Sequence, residues 1–573
     1  MSRKLLVFGP FALDPDKGTL LRQGEPVALG RRGVLLLDAF LKRPGEILTK
    51  TELMDAGWQG SAVEESNLSL QIALLRKALG PSSDGEEWIA TIPRIGYRFL
   101  GASAERGGKT VQRETKPSLA VLPLTSLSSD PEQEYFADGM TEALITNLAK
   151  ISALQVVSRT SAMHYKGVHR PLREIARELQ VDGVVEGTVM RSGSRVRISA
   201  QLINAHTDAH LWAEIYDRDL RDVLELQSEV ARAIAREVQV KVMPQEQTQL
   251  ARTRPVDPEA YEAYLKGRYY WNRRTGEGMK QGLECFQKAI EIDPTYAAAH
   301  AGLADSAAVL GWWGFATAEQ SFIRAKEAAR RALSIDATLS EAHTSLGFSL
   351  MHHDFDFSAA ERSLSRGLEL NPRYANGAQW YGILLCCIGR YDEGLTELRR
   401  AIRMDPLSLI VGWTYAHFLF FAGKYDDAIE EGRKILALHP NSGFGHQVRG
   451  IALAAKGMHD NAISELTEAC HSGRNPNFLG SLGFGYAAAG RSKDALAVAK
   501  ELRAFSPSPY PTAYWLAMIY ANLDESDEAC SWLEKAYAER GAQMVYLNID
   551  RRFDLLRPDP RFQDVLKRMN FNA

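Results

Sequence analysis

Between residues 64 and 79 the apolar positions Leu68, Ile72, Leu75 and Leu79 recur at i, i+4, i+7 and i+11, the spacing of one buried stripe on a helix. The remaining faces carry Asn67, Ser69, Leu70, Gln71, Ala73, Leu74, Arg76 and Lys77. Upstream, residues 5–30 alternate apolar and polar positions around turn residues, which predicts a small antiparallel sheet. Two further helical patterns cover residues 33–43 and 49–55, and a strand pair runs over 88–100 with Pro93 to Gly96 at its turn.

A polar stretch at 104–117 has no hydrophobic periodicity and is expected to be a linker. Residues 118–242 open with the apolar run SLAVLPL, continue through helical patterns at YFADGMTEALITNLAKI and 172–179, and end with the alternation VRISAQLI after an RSGSR turn. That order predicts an α/β domain with a hairpin. His206 and His210 flank Asp208, yet they fall in a loop between strands and are expected to be structural rather than metal ligands, and Glu142, Asp182 and Glu186 are expected at the surface or in turns. Gly108-Lys109-Thr110 ends like a phosphate loop but lacks its first glycine.

From residue 257 the chain repeats itself. GRYDEGL, GKYDDAI, GMHDNAI and GRSKDAL begin at Gly389, Gly423, Gly457 and Gly490, steps of 34, 34 and 33 residues, with prolines on the same beat. The glycine fits a turn between two helices, a small residue at Ala428, Ala462 or Ala495 lets them approach, and the proline ends the second helix. This period resembles the tetratricopeptide family, which implies stacked helix pairs forming a superhelix with a concave groove over residues 257–573, irregular around residues 311–337. About seven or eight repeats fit this length. Of Trp312, Trp313, Trp380, Trp413, Trp515 and Trp532, most are expected in the core between repeats rather than as groove anchors.

Residues 5–101 resemble the OmpR/PhoB-type winged-helix domain, carried by FGPFALD, EILTKTEL with Trp58, NLSLQIALLRKALG and TIPRIGYRF. The resemblance, close to the ToxR/CadC type but without a transmembrane segment, implies base-reading positions at Leu70, Gln71 and Leu74 and phosphate-binding positions at Arg76 and Lys77. Asn67, Ser69 and Ala73 share that helix, and Arg94 and Arg98 lie on the hairpin expected to reach an adjacent groove or backbone. Leu74 stands where many members carry an arginine, and Pro93-Arg94 where members often have Arg-Gly; both change the expected target sequence. Residues 118–242 look like the TolB N-terminal-like domain, through AVLPL, EYFADGMTEALI, VVSRTS, IARELQVDGVVEGTV and HLWAEIYDRDL.

The fold class expected is therefore multidomain α+β: a winged helix-turn-helix at 1–103, a linker, an α/β domain at 118–242 and an α-solenoid at 257–573. Charge limits how it meets DNA. The whole chain carries −3, and residues 1–101 hold 13 basic against 12 acidic side chains, so affinity must come from a local cluster and from pairing two chains on repeated half-sites. The five cysteines all fall in helical segments without zinc spacing and are expected to be reduced core residues. No apolar run reaches the length of a bilayer span, which places the protein in the cytoplasm. Since the sequence opens on the DNA-binding sheet, no phospho-acceptor domain is expected before it. Expected partners are double-stranded DNA, RNA polymerase or another protein, and a peptide or protein segment in the solenoid groove, with a homodimer on DNA; no membrane, metal or cofactor is expected. The alternatives are an interaction scaffold with an incidental winged helix, and an enzyme related to nucleotide cyclases.

Overall fold

A computed structural model describes residues 5–571 except 15–17, 23–24, 28, 44, 59–64, 81–86, 93–94, 101–102, 107–115, 129–132, 169, 239, 241, 244–246, 248–254, 274 and 506–511. The chain divides into two units, Met1–Thr115 and Lys116–Ala573.

The first unit begins with strands β1 (Leu5–Phe8), β2 (Phe11–Asp14), β3 (Thr19–Arg22) and β4 (Glu25–Val27). Helix α1 (Arg31–Lys42), strand β5 (Ile47–Thr49), helices α2 (Lys50–Trp58) and α3 (Glu65–Leu79), and the hairpin β6 (Ile89–Ile92) and β7 (Gly96–Phe99) follow. A last strand, β8 (Ser103–Arg106), pairs antiparallel with β1, giving the sheet order β4-β3-β2-β1-β8, while β5-β7-β6 form a second sheet. The first residues of the expected linker, 104–106, are thus part of a strand: SAER has no apolar alternation to announce one, and its place is set by backbone pairing such as Val7 with Ala104. Residues 107–115 of that stretch, Gly108-Lys109-Thr110 included, lie outside the described residues. Phe8, Phe11, Trp88 and Phe99 join the first sheet to the hairpin, with ring centroids 5.3 Å apart for Phe8 and Phe11 and 5.4 Å for Phe8 and Phe99.

In the second unit a mixed sheet runs β11-β9-β12-β13-β14, with β10 also beside β12. Its strands are β9 (Ser118–Val121), β10 (Thr125–Ser126), β11 (Gln155–Val156), β12 (Gly183–Ser192), β13 (Arg195–Asn204) and β14 (His210–Asp219), the last three an antiparallel meander. Helices α4 (Glu134–Ala149), α5 (Arg159–Met163), α6 (Leu172–Leu179) and α7 (Val223–Glu237) complete it. Met140, Leu144 and Leu148 of α4 pack on Leu119, Val121 and Val185 of the sheet.

This domain is fused to the repeats through α4. Glu142, expected at the surface, instead accepts from Asn272 Nδ2 at 2.9 Å, lies 3.2 Å from Arg159 Nε and pairs with Arg268. Burial alone would raise its carboxyl, but the two guanidinium groups hold it below the usual range. On the other side, Ser161 Oγ donates to Asp405 at 3.0 Å.

Eight antiparallel helix pairs follow among the described residues, from Pro258–Asn272 with Gly276–Ile292 to Ala513–Ala521 with Ser526–Ala538. Gly389, Gly423, Gly457 and Gly490 hold φ between 71° and 86°, the left-handed region open to glycine. Each closes the same turn: Gly389 N–H donates to Cys386 O and Arg390 N–H to Leu385 O, and Gly423 and Lys424 repeat the pattern. Ala428, Ala462 and Ala495 are fully buried where the helices meet. Polar side chains also keep the period along the first helices of successive pairs. Gln379 donates to Thr414 Oγ1 at 2.7 Å, Trp413 Nε1 to Gln447 Oε1 at 3.0 Å, and Gln447 Nε2 to Ser481 Oγ at 2.9 Å.

After residue 538 the repeat stops. Short turns at Ala542–Tyr546 and Arg551–Phe553 and the helix Pro560–Arg568 return to earlier repeats: Trp312 Nε1 donates to Tyr546 Oη at 3.1 Å, Arg551 Nε to Phe421 O at 3.1 Å, and Asn570 Nδ2 to Phe355 O at 3.2 Å. The concave side is thus lined by the chain's own C-terminal segment as well as by repeats. Four cysteines are buried and Cys285 is partly so; burial pushes the Cys386 thiol up to about 12, which keeps it protonated and inert. Among the described residues no helix is long and apolar enough to cross a membrane, and no group of His, Cys, Asp and Glu is arranged to hold a metal ion.

Candidate nucleic-acid interface

Winding at roughly 100° per residue, α3 turns Leu68, Ile72, Leu75 and Leu79 into the core, where each is at most 2% exposed. The opposite face carries Asn67, Leu70, Ala73, Leu74 and Lys77, all exposed. Leu70 and Leu74 are 58% and 48% exposed, one turn apart, which is unusual for leucines on a helix whose other leucines make the core. Gln71 is half-buried at one edge of the stripe. Ser69 and Arg76, about two turns apart, share the other edge and face the hairpin.

Arg76, expected as a phosphate-binding position, is bonded to the hairpin in this structure. Its Nε and Nη2 donate to the Ile89 carbonyl at 3.0 and 2.6 Å, Nη2 also reaches Thr91 Oγ1 at 2.8 Å, and Nε lies 2.9 Å from Glu87 Oε2. Because residue 76 sits beside the stripe and not opposite it, the guanidinium is drawn onto β6 and fastens the hairpin to α3. Ser69 Oγ and the Tyr97 hydroxyl, 3.5 Å apart, mark a second meeting point on that edge. Lys77, one residue on, is exposed.

In β7, Tyr97 and Phe99 are buried, so the strand's alternation puts Arg98 on the other face, between Ile47 and Ala90. It is half-buried, and its Nε has no hydrogen-bond partner. Arg94 lies outside the described residues. Gly96 leaves room for β5: a Cβ there would stand 2.0 Å from the Leu48 carbonyl oxygen. The RIGYRF stretch contained that glycine as its only hint.

The helix preceding α3 is fixed by a capping box that sequence reasoning passed over, although T-x-x-E was visible at Thr49 and Glu52. Thr49 N–H and its hydroxyl both donate to Glu52 Oε2 at 2.8 Å, and Glu52 N–H donates back to Thr49 Oγ1 at 3.2 Å. Arg43 Nη1 adds a contact at 2.8 Å, and the Arg43 and Thr49 hydrogen bonds lower the Glu52 carboxyl to about 2.

Two helices at an angle, an outward helix face and a neighbouring hairpin define a winged helix-turn-helix, and the comparisons with known proteins agree. Residues 24–99 match the family described as transcriptional regulatory protein, C terminal; residues 114–252 match the HilA/YgeH-like transcriptional regulator, second domain; and residues 510–540 match the tetratricopeptide repeat. The chain thus has the domain content of a winged-helix transcriptional regulator with tetratricopeptide repeats. Its relatives include the transcriptional regulator HilA of Salmonella typhimurium, 22% identical over 72% of this chain and 73% of that protein. A Rhizobium meliloti protein provisionally named adenylate cyclase 3 is 39% identical over 42% of this chain but only 41% of its own length. The solved DNA-binding domain of E. coli CadC is 28% identical, covering 18% of this chain and 98% of that domain, with a TM-score of 0.17. The match over the middle domain carries the HilA/YgeH name in place of the TolB resemblance.

Proposed function

We propose that the chain is a cytoplasmic, sequence-specific DNA-binding regulator of transcription whose repeat region receives the controlling signal. The observation that carries this reading is the outward face of α3, where Asn67, Leu70, Leu74 and Lys77 stand clear of the leucine core while Arg76 holds the hairpin beside them. Aliphatic side chains there suit thymine methyl groups, the amides of Asn67 and Gln71 suit adenine edges, and Lys77 suits a phosphate. With 13 basic and 12 acidic side chains over residues 1–101, and with Arg76 beside Glu87, the general field is weak, which favours two copies acting together on repeated half-sites. The repeats are proposed to meet RNA polymerase or another protein partner.

Pull-down of the full chain with its bound genomic DNA tests this. Promoter fragments sharing a repeated half-site are expected; recovery of protein partners with no enriched DNA would support the scaffold reading instead. The identity to a protein named as a cyclase makes one control worthwhile: the purified chain is expected to form no cyclic AMP from ATP.

A further inference from the structure

The concave side of the repeats holds a cavity of about 730 Å³, in the range of small-molecule sites. Its wall comes from three parts of the second unit: α5 of the middle domain through Arg159 to His164, the first helices of successive repeats, and the C-terminal segment through Gln543, Tyr546 and Arg552. Five of the six tryptophans expected mainly as core line it, Trp532 being the exception. They are packed among themselves and still present faces to the space: Trp313 stacks on Trp413 at 6.1 Å, and Trp413 meets Phe444 at 5.1 Å. The indole N–H groups of Trp312 and Trp413 are already taken by Tyr546 and Gln447, so what these two rings offer an occupant is flat apolar surface.

Arg552, His417 and Gln543 also line the space, but Arg552 Nη1, His417 Nδ1 and Gln543 Oε1, which lack hydrogen-bond partners, are closed off from it. Arg552 is 3% and His417 7% exposed, so bulk water does not serve them. Arg552 directs Nε and Nη2 at Asp550, 2.8 and 2.6 Å away, which neutralises its charge and leaves Nη1 over. A charged occupant at this end would be buried without a counter-charge, because the one guanidinium there already has its carboxylate.

We propose that this chamber is a binding site for a neutral, planar aromatic small molecule that stacks on the tryptophan wall. A peptide fits less well, since an extended segment would have to share the concave side with the chain's own residues 542–553. The proposal supplies a signal class for the regulator reading above, but binding is measured without DNA, so either can fail alone.

The probe is 6-propionyl-2-(dimethylamino)naphthalene, a neutral planar aromatic ketone whose emission shifts to the blue in apolar surroundings, titrated into the full chain. Saturable one-to-one binding with quenching of tryptophan emission is expected. The anion 1-anilinonaphthalene-8-sulfonate is expected not to compete. Ile410→Trp, filling the chamber from a half-buried wall position, is expected to abolish binding with the far-ultraviolet circular dichroism unchanged. Absence of saturable binding, binding at many equal sites, or a preference for the anion would each overturn the proposal.

Discussion

Arg76 Nη2 donates to the main-chain carbonyl of Ile89 at 2.6 Å, so a cation on α3 is a strut between that helix and the β6–β7 hairpin. This separates two adjacent basic residues that sequence alone treats as a pair. Arg76→Ala is expected to destabilise the first unit by about 1–2 kcal/mol, the range of hydrogen bonds to a charged group at a half-exposed site. Lys77→Ala is expected to leave stability unchanged, to weaken binding to every duplex alike, and to lower the salt slope of binding by about one. Urea unfolding together with DNA titration at several salt concentrations checks both.

Leu70 and Leu74 contribute little to the core. Leu70→Ala and Leu74→Ala should each change stability by no more than about 0.5 kcal/mol. Their effect is expected on sequence preference, with replacement of contacted thymines by uracil losing its penalty in the variants. Competition binding with thymine and uracil duplexes reads this directly.

Gly96 lets β5 pair closely with β7, and the Leu48 oxygen stands where a side chain would begin. Gly96→Ala is expected to cost about 2–3 kcal/mol by forcing the strands apart. Faster amide hydrogen exchange confined to β5 and the hairpin would identify the cause, and unchanged exchange would refute it.

Burial in the repeat region lowers His352 and His417 from the ordinary 6.5 to about 3, with Arg552 adding to the effect on His417. Both are neutral when folded and take up protons on unfolding at acid pH, so stability is full above about pH 6.5 and falls as pH drops towards 3. At pH 5 each would remove on the order of 2 kcal/mol. His417→Leu is expected to flatten this dependence in calorimetric melts between pH 7 and 4.5.

The architecture was legible where periodicity is strong. The leucine stripe of α3, the 34-residue beat with its left-handed glycines and the β12–β13 turn at Gly193 all follow from local spacing. What escaped was set by long-range contact. β8 is a strand because β1 offers its edge, and Glu142 is drawn off the surface because Arg268, more than a hundred residues away, pairs with it. Trp313 and Trp413 line a chamber because the C-terminal segment folds back, and no pattern around either tryptophan encodes that return. At the candidate interface the sequence separated buried from exposed positions on α3 but could not tell that Arg76, at the margin of the stripe, bonds to the hairpin.

The most direct test is fluorescence anisotropy of a promoter duplex recovered with the chain, comparing the native protein with Leu70→Glu/Leu74→Glu. If the outward face of α3 enters the groove, the double variant melts like the native protein and loses specific binding. Unchanged affinity and sequence preference in a folded double variant would contradict the account.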